Sequence, residues 1–307
     1  MRRWIAERAA LSLAALSWAG VTVACGGSPD RKADAGSPAQ QVQAPPMADL
    51  DSTTFTNSTR IDNAWLPLTP GTRFVYEGTS VEDDGKTVPH RIIVNVTDLT
   101  KVIAGVRAVV TWDLDYNDGE LVEAELALYA QDTSGAVWYL GEYPEEYEDG
   151  KFVAARPWIH GFEGARAGIM MPADPKPGTP SYAEGWGPAA DWTDRGQVDQ
   201  VGQRTCVPAG CYENALVIAE TSAGEPDATQ LKYYARGVGN VRVGWRGAGE
   251  KTQEILELAK IERLDAAGLA EVRAAALELE RSGNQRSPTA YARTQPAQQA
   301  SGGNGHD

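Results

Sequence analysis

Apolar and polar side chains alternate along much of the central chain. Every even position from 106 to 114 and from 122 to 130 is apolar, while the odd positions include Arg, Thr, Asp and Glu. A period of two predicts half-buried β-strands. Shorter β-branched or aromatic runs, such as "RIIVNVT", "NALVIAE" and "LKYYAR", predict further strands.

Turn signals containing glycine separate many of these runs. "DDG", "NDG", "TSG" and "EDG" occur at 83–85, 117–119, 133–135 and 148–150. Asp-Gly suits a type I′ turn, which needs positive φ at both central residues. Consecutive strands joined by such tight turns form an antiparallel meander.

Two segments depart from this pattern. Residues 152–199 are rich in Gly and Pro and contain three of the tryptophans, which predicts a long irregular insertion. Near the other end, Asp265 can cap a helix whose apolar stripe is Leu269, Val272, Ala276 and Leu279. We therefore expect one mainly β domain over residues 59–281, a curved antiparallel meander or half-barrel, with this C-terminal helix against it.

The two ends of the chain differ from its middle in composition. Residues 1–24 combine early arginines with a short apolar run and predict an export signal, and Val21–Ala24 before Cys25 resemble a bacterial lipobox. The departure is Thr22, where leucine is usual, so ordinary cleavage or a retained signal stay open. Residues 25–58 predict a flexible tether, and 282–307 predict a disordered polar tail.

Charge limits the partners of the mature chain. The 307 residues carry a net charge of −14, and loss of residues 1–24 removes three arginines and one glutamate, which leaves −16. So acidic a protein is repelled by phosphate backbones and anionic lipid surfaces. Nucleic acid is excluded as a partner, and membrane attachment is expected through lipid on Cys25.

Two cysteines remain once Cys25 is assigned to lipid. Cys206 and Cys211 flank a Pro-Ala-Gly turn between two strand-like runs, so a disulfide across a hairpin is predicted. An oxidising compartment outside the cytoplasm allows it to form. A zinc site is the alternative, but no histidine or second cysteine pair lies near in sequence.

Candidate chemistry is sparse. The sequence has no GxSxG, HExxH or P-loop, and "DLDYNDGE" at 113–120 lacks the glycine and glutamate spacing of a calcium loop. We predict no metal or cofactor. Trp158, His160, Trp186 and Trp192 are the candidate ligand pocket, because aromatic and imidazole groups meet within the insertion. The alternative is that they only fill the core.

Several segments together resemble a family of uncharacterised bacterial secreted proteins and lipoproteins. They are "DNAWLPLTPGTRFVYEG", "LYAQDTSGAVWYLGE", "AGIMMPADPKPG", "VPAGCYENALV" and "KYYARGVGNVRVG", and they span Asp62 to Val243. "VPAG" followed by "YYARGVG" is also similar to envelope proteins with curved antiparallel sheets, including half-barrel lipoprotein carriers. The resemblance implies a β-rich envelope protein and supplies no active-site residues.

These observations favour a binding protein over an enzyme. The first hypothesis is a lipid-anchored envelope protein, facing the periplasm or the cell surface, that binds an apolar or aromatic ligand or a partner protein. The second is a carboxylate-dependent hydrolase of a glycan, which requires two inward carboxylates about 5–10 Å apart. The third is a structural or assembly lipoprotein with a filled interior.

Overall fold

The computed structural model describes residues 46–82 and 84–300 of the chain. They form one large antiparallel sheet, two α-helices and two short 3-10 helices at Ser52–Thr54 and Pro188–Ala190. The strands are β1 (Thr72–Val81), β2 (Thr87–Ile103), β3 (Val106–Asn117), β4 (Glu120–Gln131), β5 (Val137–Glu148), β6 (Lys151–Ala154), β7 (Trp158–Ile159), β8 (Arg166–Met171), β9 (Tyr182–Ala183), β10 (Gly185–Trp186), β11 (Arg195–Val207), β12 (Gly210–Ser222), β13 (Glu225–Ala235), β14 (Gly239–Arg246), β15 (Ile255–Arg263) and β16 (Gln298–Gln299). The helices are α1 (Ala266–Arg286) and α2 (Pro288–Tyr291).

The strand order is mostly that of a meander. Hydrogen bonds connect β10-β8-β5-β4-β3-β2-β1-β15-β14-β13-β12-β11-β9, with β6 and β7 beside β5 and β16 beside β2. This path is open, yet its terminal strands β9 and β10 follow each other in the chain with only Glu184 between them. The two ends of the path are therefore joined covalently. The predicted mainly β fold, a curved antiparallel sheet with a C-terminal helix, is confirmed.

The Asp-Gly turns form the expected hairpins. Asp118 and Gly119 have φ of 50° and 84° between β3 and β4, and Asp149 and Gly150 have φ of 50° and 70° between β5 and β6. Positive φ at two consecutive positions is the requirement of a type I′ turn. Aspartate tolerates this left-handed region and glycine adopts it freely, so the chain reverses tightly there.

Both faces of the sheet are buried, although the alternation of apolar and polar residues predicted that only one face would be. The even residues Val106, Ala108 and Val110 belong to an outer core that also contains Ala276 and Leu279 of α1. The odd residue Val109 belongs to an interior core enclosed by the sheet, together with aromatic residues of several strands. On β3 and β4 the face with fewer apolar residues is thus the enclosed one, and this decides where the polar chemistry lies.

Helix α1 begins as predicted and ends later. The Asp265 carboxylate accepts a hydrogen bond from the Gly268 N–H at 2.8 Å, and Val272, Ala276 and Leu279 are buried. The helix continues to Arg286, beyond the expected boundary at 281.

The segment 282–300 is a correction to the predicted disordered tail. Tyr291 of α2 packs edge-on against Tyr143 at 5.3 Å, and Gln298 pairs with Thr100 through β16. Two anchors explain why so polar a sequence is ordered. One is the apolar surface of Tyr291, and the other is Glu280, whose carboxylate accepts from Ala297 N–H at 2.9 Å. Residues 301–307 lie outside the described part of the chain.

The end of the predicted tether also belongs to the domain. Leu50 and Phe55 pack against the outer core, and Phe55 lies edge-on to Trp138 at 5.9 Å. The Ser58 hydroxyl donates to the Arg107 carbonyl at 2.6 Å. The domain therefore starts before residue 59, whereas the export signal, Cys25 and most of the tether lie outside the described residues.

The insertion 152–199 is less irregular than predicted. It contains most of β6, all of β7 to β10, the Pro188–Ala190 helix and the start of β11, so it supplies both ends of the hydrogen-bonded path. Within the described residues, no helix combines the length and apolarity needed to span a bilayer.

Candidate functional site

Six buried carboxyl residues face the space enclosed by the sheet, and we call them the acidic interior. All are at most 5% exposed. They are Asp113, Glu125, Glu142, Glu184, Asp194 and Glu220. Strand alternation puts them there: Asp113 shares the face of Val109 on β3, and Glu220 shares the face of Leu216 and Ile218 on β12.

The interior is apolar at one end and acidic at the other. Along β3 the inward residues run from Val109 through Thr111 to Asp113, and along β12 they run from Leu216 through Ile218 to Glu220. Because β3 and β4 are antiparallel, β4 shows the reverse order from Glu125 to Tyr129. The apolar end is filled by core side chains, including Ile61, Trp65 and Leu68 from the segment before β1.

One group of the acidic interior is organised by Tyr139. Its hydroxyl lies 2.9 Å from Oε1 of Glu125 and 2.5 Å from Oε2 of Glu142. Burial, and then the charges of Glu125 and Glu142, hold the pKa of Tyr139 well above its ordinary value, so the hydroxyl keeps its proton. A tyrosine hydroxyl donates only one hydrogen bond. The hydroxyl can therefore donate to only one of the two carboxyls at a time.

Asp113 belongs to the same group. Burial, and then the nearby charge of Glu125, raise the pKa of Asp113 well above its ordinary value. Desolvation penalises the charged form, and a second carboxylate nearby adds repulsion. The ring of Tyr129 stacks on Tyr139 at 4.6 Å and completes the wall beside these acids.

A second group surrounds Lys232 of β13. Its ammonium lies 2.6 Å from Oε2 of Glu220, and both side chains are at most 4% exposed. Burial opposes the charge of Lys232, but the carboxylates of Glu220 and Glu184 outweigh it and raise its pKa. An ion pair so deeply buried is held by mutual attraction in a low-dielectric environment.

Glu184 belongs to this second group, near Glu220 and Lys232. It is 1% exposed, and neither carboxylate oxygen has a hydrogen-bond partner among the described residues. Burial, and then the charge of Glu220, raise the pKa of Glu184 well above its ordinary value. A buried carboxyl with unused acceptors and donor capacity carries a desolvation penalty that a bound polar group would remove.

Two stacked indoles lie against Gly185, which follows Glu184 in the chain. Trp158 and Trp192 lie 5.5 Å apart with nearly parallel planes, and each meets Tyr139 edge-on. Their Nε1 atoms are buried and have no hydrogen-bond partner in the described part of the chain. Gly185, the neighbour of Glu184, packs against both rings, since a Cβ there would lie 2.6 Å from Trp158 and 2.7 Å from Trp192.

His90 marks a third polar group farther along the acidic end. Its Nε2 lies 3.4 Å from Oδ1 of Asp115 and 3.4 Å from Oε1 of Glu254. Gln230 donates to the same Glu254 carboxylate at 2.5 Å. His90 is buried against these carboxylates. Within residues 46–82 and 84–300, no three His, Cys, Asp or Glu side chains form a metal-binding group.

The predicted pocket residues come together only in part. Trp158 and Trp192 share the interior core, whereas the buried Trp186 belongs to neither core. His160 accepts a hydrogen bond at Nδ1 from the Ala167 N–H at 2.9 Å. Burial, and then the positive charge of Arg166, lower the pKa of His160.

The cysteines follow the predicted pattern where they are described. Cys206 and Cys211 form a disulfide between paired positions of the β11–β12 hairpin, with Cα atoms 4.0 Å apart. Cys25 lies outside the described residues.

The acidic interior itself was missed. The available signal was that both faces of β3 and β4 carry apolar residues, as in Val109-Val110 and Ala127-Leu128. Such a strand is covered on both sides, so its acidic residues are enclosed rather than solvated.

Comparisons with known proteins give distant similarities. No protein-family profile matches the sequence, and no curated protein matches it significantly. Among solved structures, it is similar to a protein from Bacteroides fragilis described as exported with a YmcC-like fold, at 12% identity and a TM-score of 0.39, covering 65% of this chain and 99% of the other. A protein described as a lipoprotein from Parabacteroides distasonis has 12% identity and a TM-score of 0.35, covering 66% and 100%.

A third similar structure is a β-barrel-like protein of a domain of unknown function from Brucella abortus. It has 12% identity and a TM-score of 0.37, covering 63% of this chain and 98% of the other. At such low scores these similarities assign neither a family nor an activity to this chain.

Proposed function

We propose that this protein is an exported, lipid-anchored envelope protein that binds a ligand inside its curved sheet. Export and lipid attachment are inferred from the sequence, which has early arginines, a short apolar run and small residues before Cys25. The binding role rests on one observation, the buried Glu184 whose two carboxylate oxygens have no protein partner. Buried polar groups in proteins are nearly always hydrogen-bonded, so this unpartnered carboxyl, together with two unpartnered indole N–H groups in the interior core, favours a bound molecule.

The interior differs from the purely apolar site that the sequence suggested. Trp158, Trp192 and Tyr139 offer aromatic surface, while the acidic interior offers hydrogen-bond acceptors and, where protonated, donors. Binding pockets commonly combine apolar walls with a few convergent polar groups that set orientation. A ligand with both aromatic contact area and polar groups fits this end of the sheet.

Binding is tested with the exported Cys25→Ser chain, which lacks the lipid attachment point. Native mass spectrometry of the protein purified from its envelope is expected to show a bound small molecule, lost on denaturation. Glu184→Ala should lower the occupied fraction, and Glu213→Gln, which alters an exposed surface pair with Arg204, should not. A chain that carries no molecule, and takes none up from envelope extract, contradicts the binding role.

Lipid attachment is tested separately. The full chain is expected to partition into detergent and to incorporate labelled palmitate, whereas Cys25→Ser protein should remain in the aqueous phase. Detergent partitioning that persists without Cys25 would show a retained signal helix in place of the lipid, which is the alternative left open by Thr22.

A second candidate function is hydrolysis of a glycan by two carboxylates. The observation in its favour is that Glu125 and Glu142 face inward and contact the same hydroxyl. The expected test is turnover of envelope glycan by wild-type protein and its loss in Glu125→Gln. Absence of turnover removes this candidate without affecting the binding role. A partner protein or an assembly role becomes the better account if a protein, and no small molecule, is captured.

A further inference from the structure

We infer that the ligand of the acidic interior is a cationic amine that also carries oxygen acceptors. This inference rests on the binding role proposed above and narrows it to a chemical class. Three features of the described residues lead to it: an excess of buried acids over buried bases, an unpartnered carboxyl among the acids, and two unpartnered indole N–H groups in the interior core.

The charge balance favours a cation. The acidic interior contributes six carboxyl groups, and Lys232 is the basic side chain that the described residues place among them. Isolated buried carboxylates are costly, so they must be paired or protonated. The Tyr139 hydroxyl lies within hydrogen-bond distance of both Glu125 and Glu142 and can donate to only one of them. An ammonium group would take the place of such protons and convert protonated acids into ion-paired carboxylates.

Glu184 is the group with which the amine would pair. Both of its oxygens are available, and it lies at the bend between β9 and β10, where the two ends of the sheet meet. Its neighbour Glu220 is already engaged with Lys232 at 2.6 Å. A carboxylate that accepts charge-assisted hydrogen bonds from an ammonium gains more than it would from a neutral donor.

The indoles set the second requirement. The Nε1–H groups of Trp158 and Trp192 only donate, so an ammonium cannot satisfy them. A hydroxyl or carbonyl oxygen on the same ligand would accept from them. The aromatic rings also favour a nearby cation through their negative faces.

Other ligand classes fit less well. An anion would be repelled by the carboxyl groups, and a hydrocarbon would leave Glu184 and both indole N–H groups without partners. A neutral sugar would supply hydrogen bonds but would leave the excess of acid uncompensated. The combination of one positive charge with oxygen acceptors meets all three features.

Three matched probes test the inference by calorimetry on the exported Cys25→Ser chain. Glucosamine has an amine and hydroxyls, N-acetylglucosamine has the hydroxyls without the charge, and cyclohexylamine has the charge without the hydroxyls. At a pH where both amines are charged, glucosamine is expected to bind at least about tenfold more tightly than either, since a charge-assisted hydrogen bond contributes 1.5–3 kcal/mol. Its binding should release protons, seen as a heat that varies with the ionisation enthalpy of the buffer.

The variants make the test specific to the site. Glu184→Gln should lower the affinity for glucosamine by about tenfold and leave the affinity for N-acetylglucosamine unchanged. Glu213→Gln should alter neither affinity. If Glu184→Gln fails to fold, proton release by the wild-type chain remains the deciding readout.

Each outcome bears on the inference. Equal affinity for N-acetylglucosamine or cyclohexylamine, or binding without proton release, overturns the amine class. So does failure of all three probes in a chain that captures another molecule from envelope extract, and the binding role then stands. Failure of both experiments overturns the two proposals together.

Discussion

At the residue scale, the interior depends on side chains whose protonation is set by burial. Tyr139 touches two carboxyls, and burial raises the pKa values of Asp113 and Glu184 well above the ordinary carboxyl range. Residue type alone does not distinguish these acids from solvated ones, because the same residue types occur at exposed hairpin turns such as Asp118 and Glu120. The difference arises only when another strand closes the space above them.

Removing the Tyr139 hydroxyl tests its role as the shared donor. Tyr139→Phe leaves two buried carboxyls short of a partner, and such a loss costs about 2–4 kcal/mol of unfolding free energy. Urea denaturation measures the loss. Tyr116→Phe, which removes a half-buried hydroxyl without a hydrogen bond in the described residues, is expected to cost less than about 1 kcal/mol. Equal effects of the two variants would contradict a special role for Tyr139.

The raised pKa of Asp113 predicts a pH dependence with a definite sign. Because the folded pKa lies above the unfolded one, the stabilising proton is fully bound below the ordinary carboxyl pKa and is lost as pH rises through the folded value. Asp113→Asn keeps a neutral group at all pH values. The variant should therefore gain stability relative to wild type as pH increases, by about 1–3 kcal/mol.

Urea titrations across the neutral range measure that difference. Acids with lowered pKa, such as Asp98 beside Arg273, change stability in the opposite direction, so the comparison is between variant and wild type at each pH. Asp174→Asn, at an exposed ion pair with Lys176, is the control and should give a constant difference. A constant difference for Asp113→Asn would show that Asp113 is ionised in the folded protein.

At the element scale, α1 and the segment after it act as one cover of the outer core. Lys101 of β2 donates to Glu280 at 2.5 Å and to the Gln295 carbonyl at 2.8 Å, and Glu280 also accepts from Ala297. The capping aspartate and the apolar stripe were readable from sequence. The ordered path of residues 288–299 was not, because it depends on one buried ion pair and on Tyr291.

Breaking the ion pair between Lys101 and Glu280 should detach the segment after α1 from the outer core. Glu280→Gln leaves the Lys101 charge buried without a carboxylate, which costs about 3–5 kcal/mol when a buried pair loses one member. Limited proteolysis is expected to cleave after residue 287 in the variant and not in the wild type. Glu278→Gln, two residues away in an exposed pair with Arg281, should behave as wild type. Protection that survives Glu280→Gln would place the anchoring in Tyr291 alone.

At the scale of the whole molecule, the two ends of the hydrogen-bonded path meet around Glu184. The absence of side chains at Gly185 and Gly187 lets the connection pass against the rings of Trp158 and Trp192. The insertion 152–199 thereby joins the side of the sheet that carries Glu220 of β12 to the side that carries Glu125 of β4 and Glu142 of β5. The site exists only because of this connection, since its members are far apart in sequence.

A methyl group at that contact tests the connection. Gly185→Ala would overlap both indoles, and overpacking of this kind costs about 1–3 kcal/mol. Thermal unfolding gives the loss, and tryptophan fluorescence should report the disturbed ring pair. Gly244→Ala on β14 meets no atom within 4 Å and is the matched strand control, with no loss expected. Identical melting temperatures of the two variants would show that close contact between Gly185 and the rings of Trp158 and Trp192 is not needed for stability.

The sequence by itself determined the element types. Alternation predicted strands, Asp-Gly pairs predicted the hairpin turns, Asp265 predicted the start of α1, and the spacing of Cys206 and Cys211 predicted the disulfide. These features depend on residues close together in the chain, where local backbone geometry and spacing decide the outcome. Export and lipid attachment are predictions of the sequence alone.

The tertiary structure alone decided which face of the sheet is enclosed. A strand with period two has two faces, and its own sequence does not state which one other strands will cover. Curvature of the sheet enclosed the face of Asp113, Glu125 and Glu220, and α1 covered the face of Val110 and Leu126. Long-range packing thereby converted acids that look solvated into a buried cluster, because burial and neighbouring charge depend on residues distant in sequence.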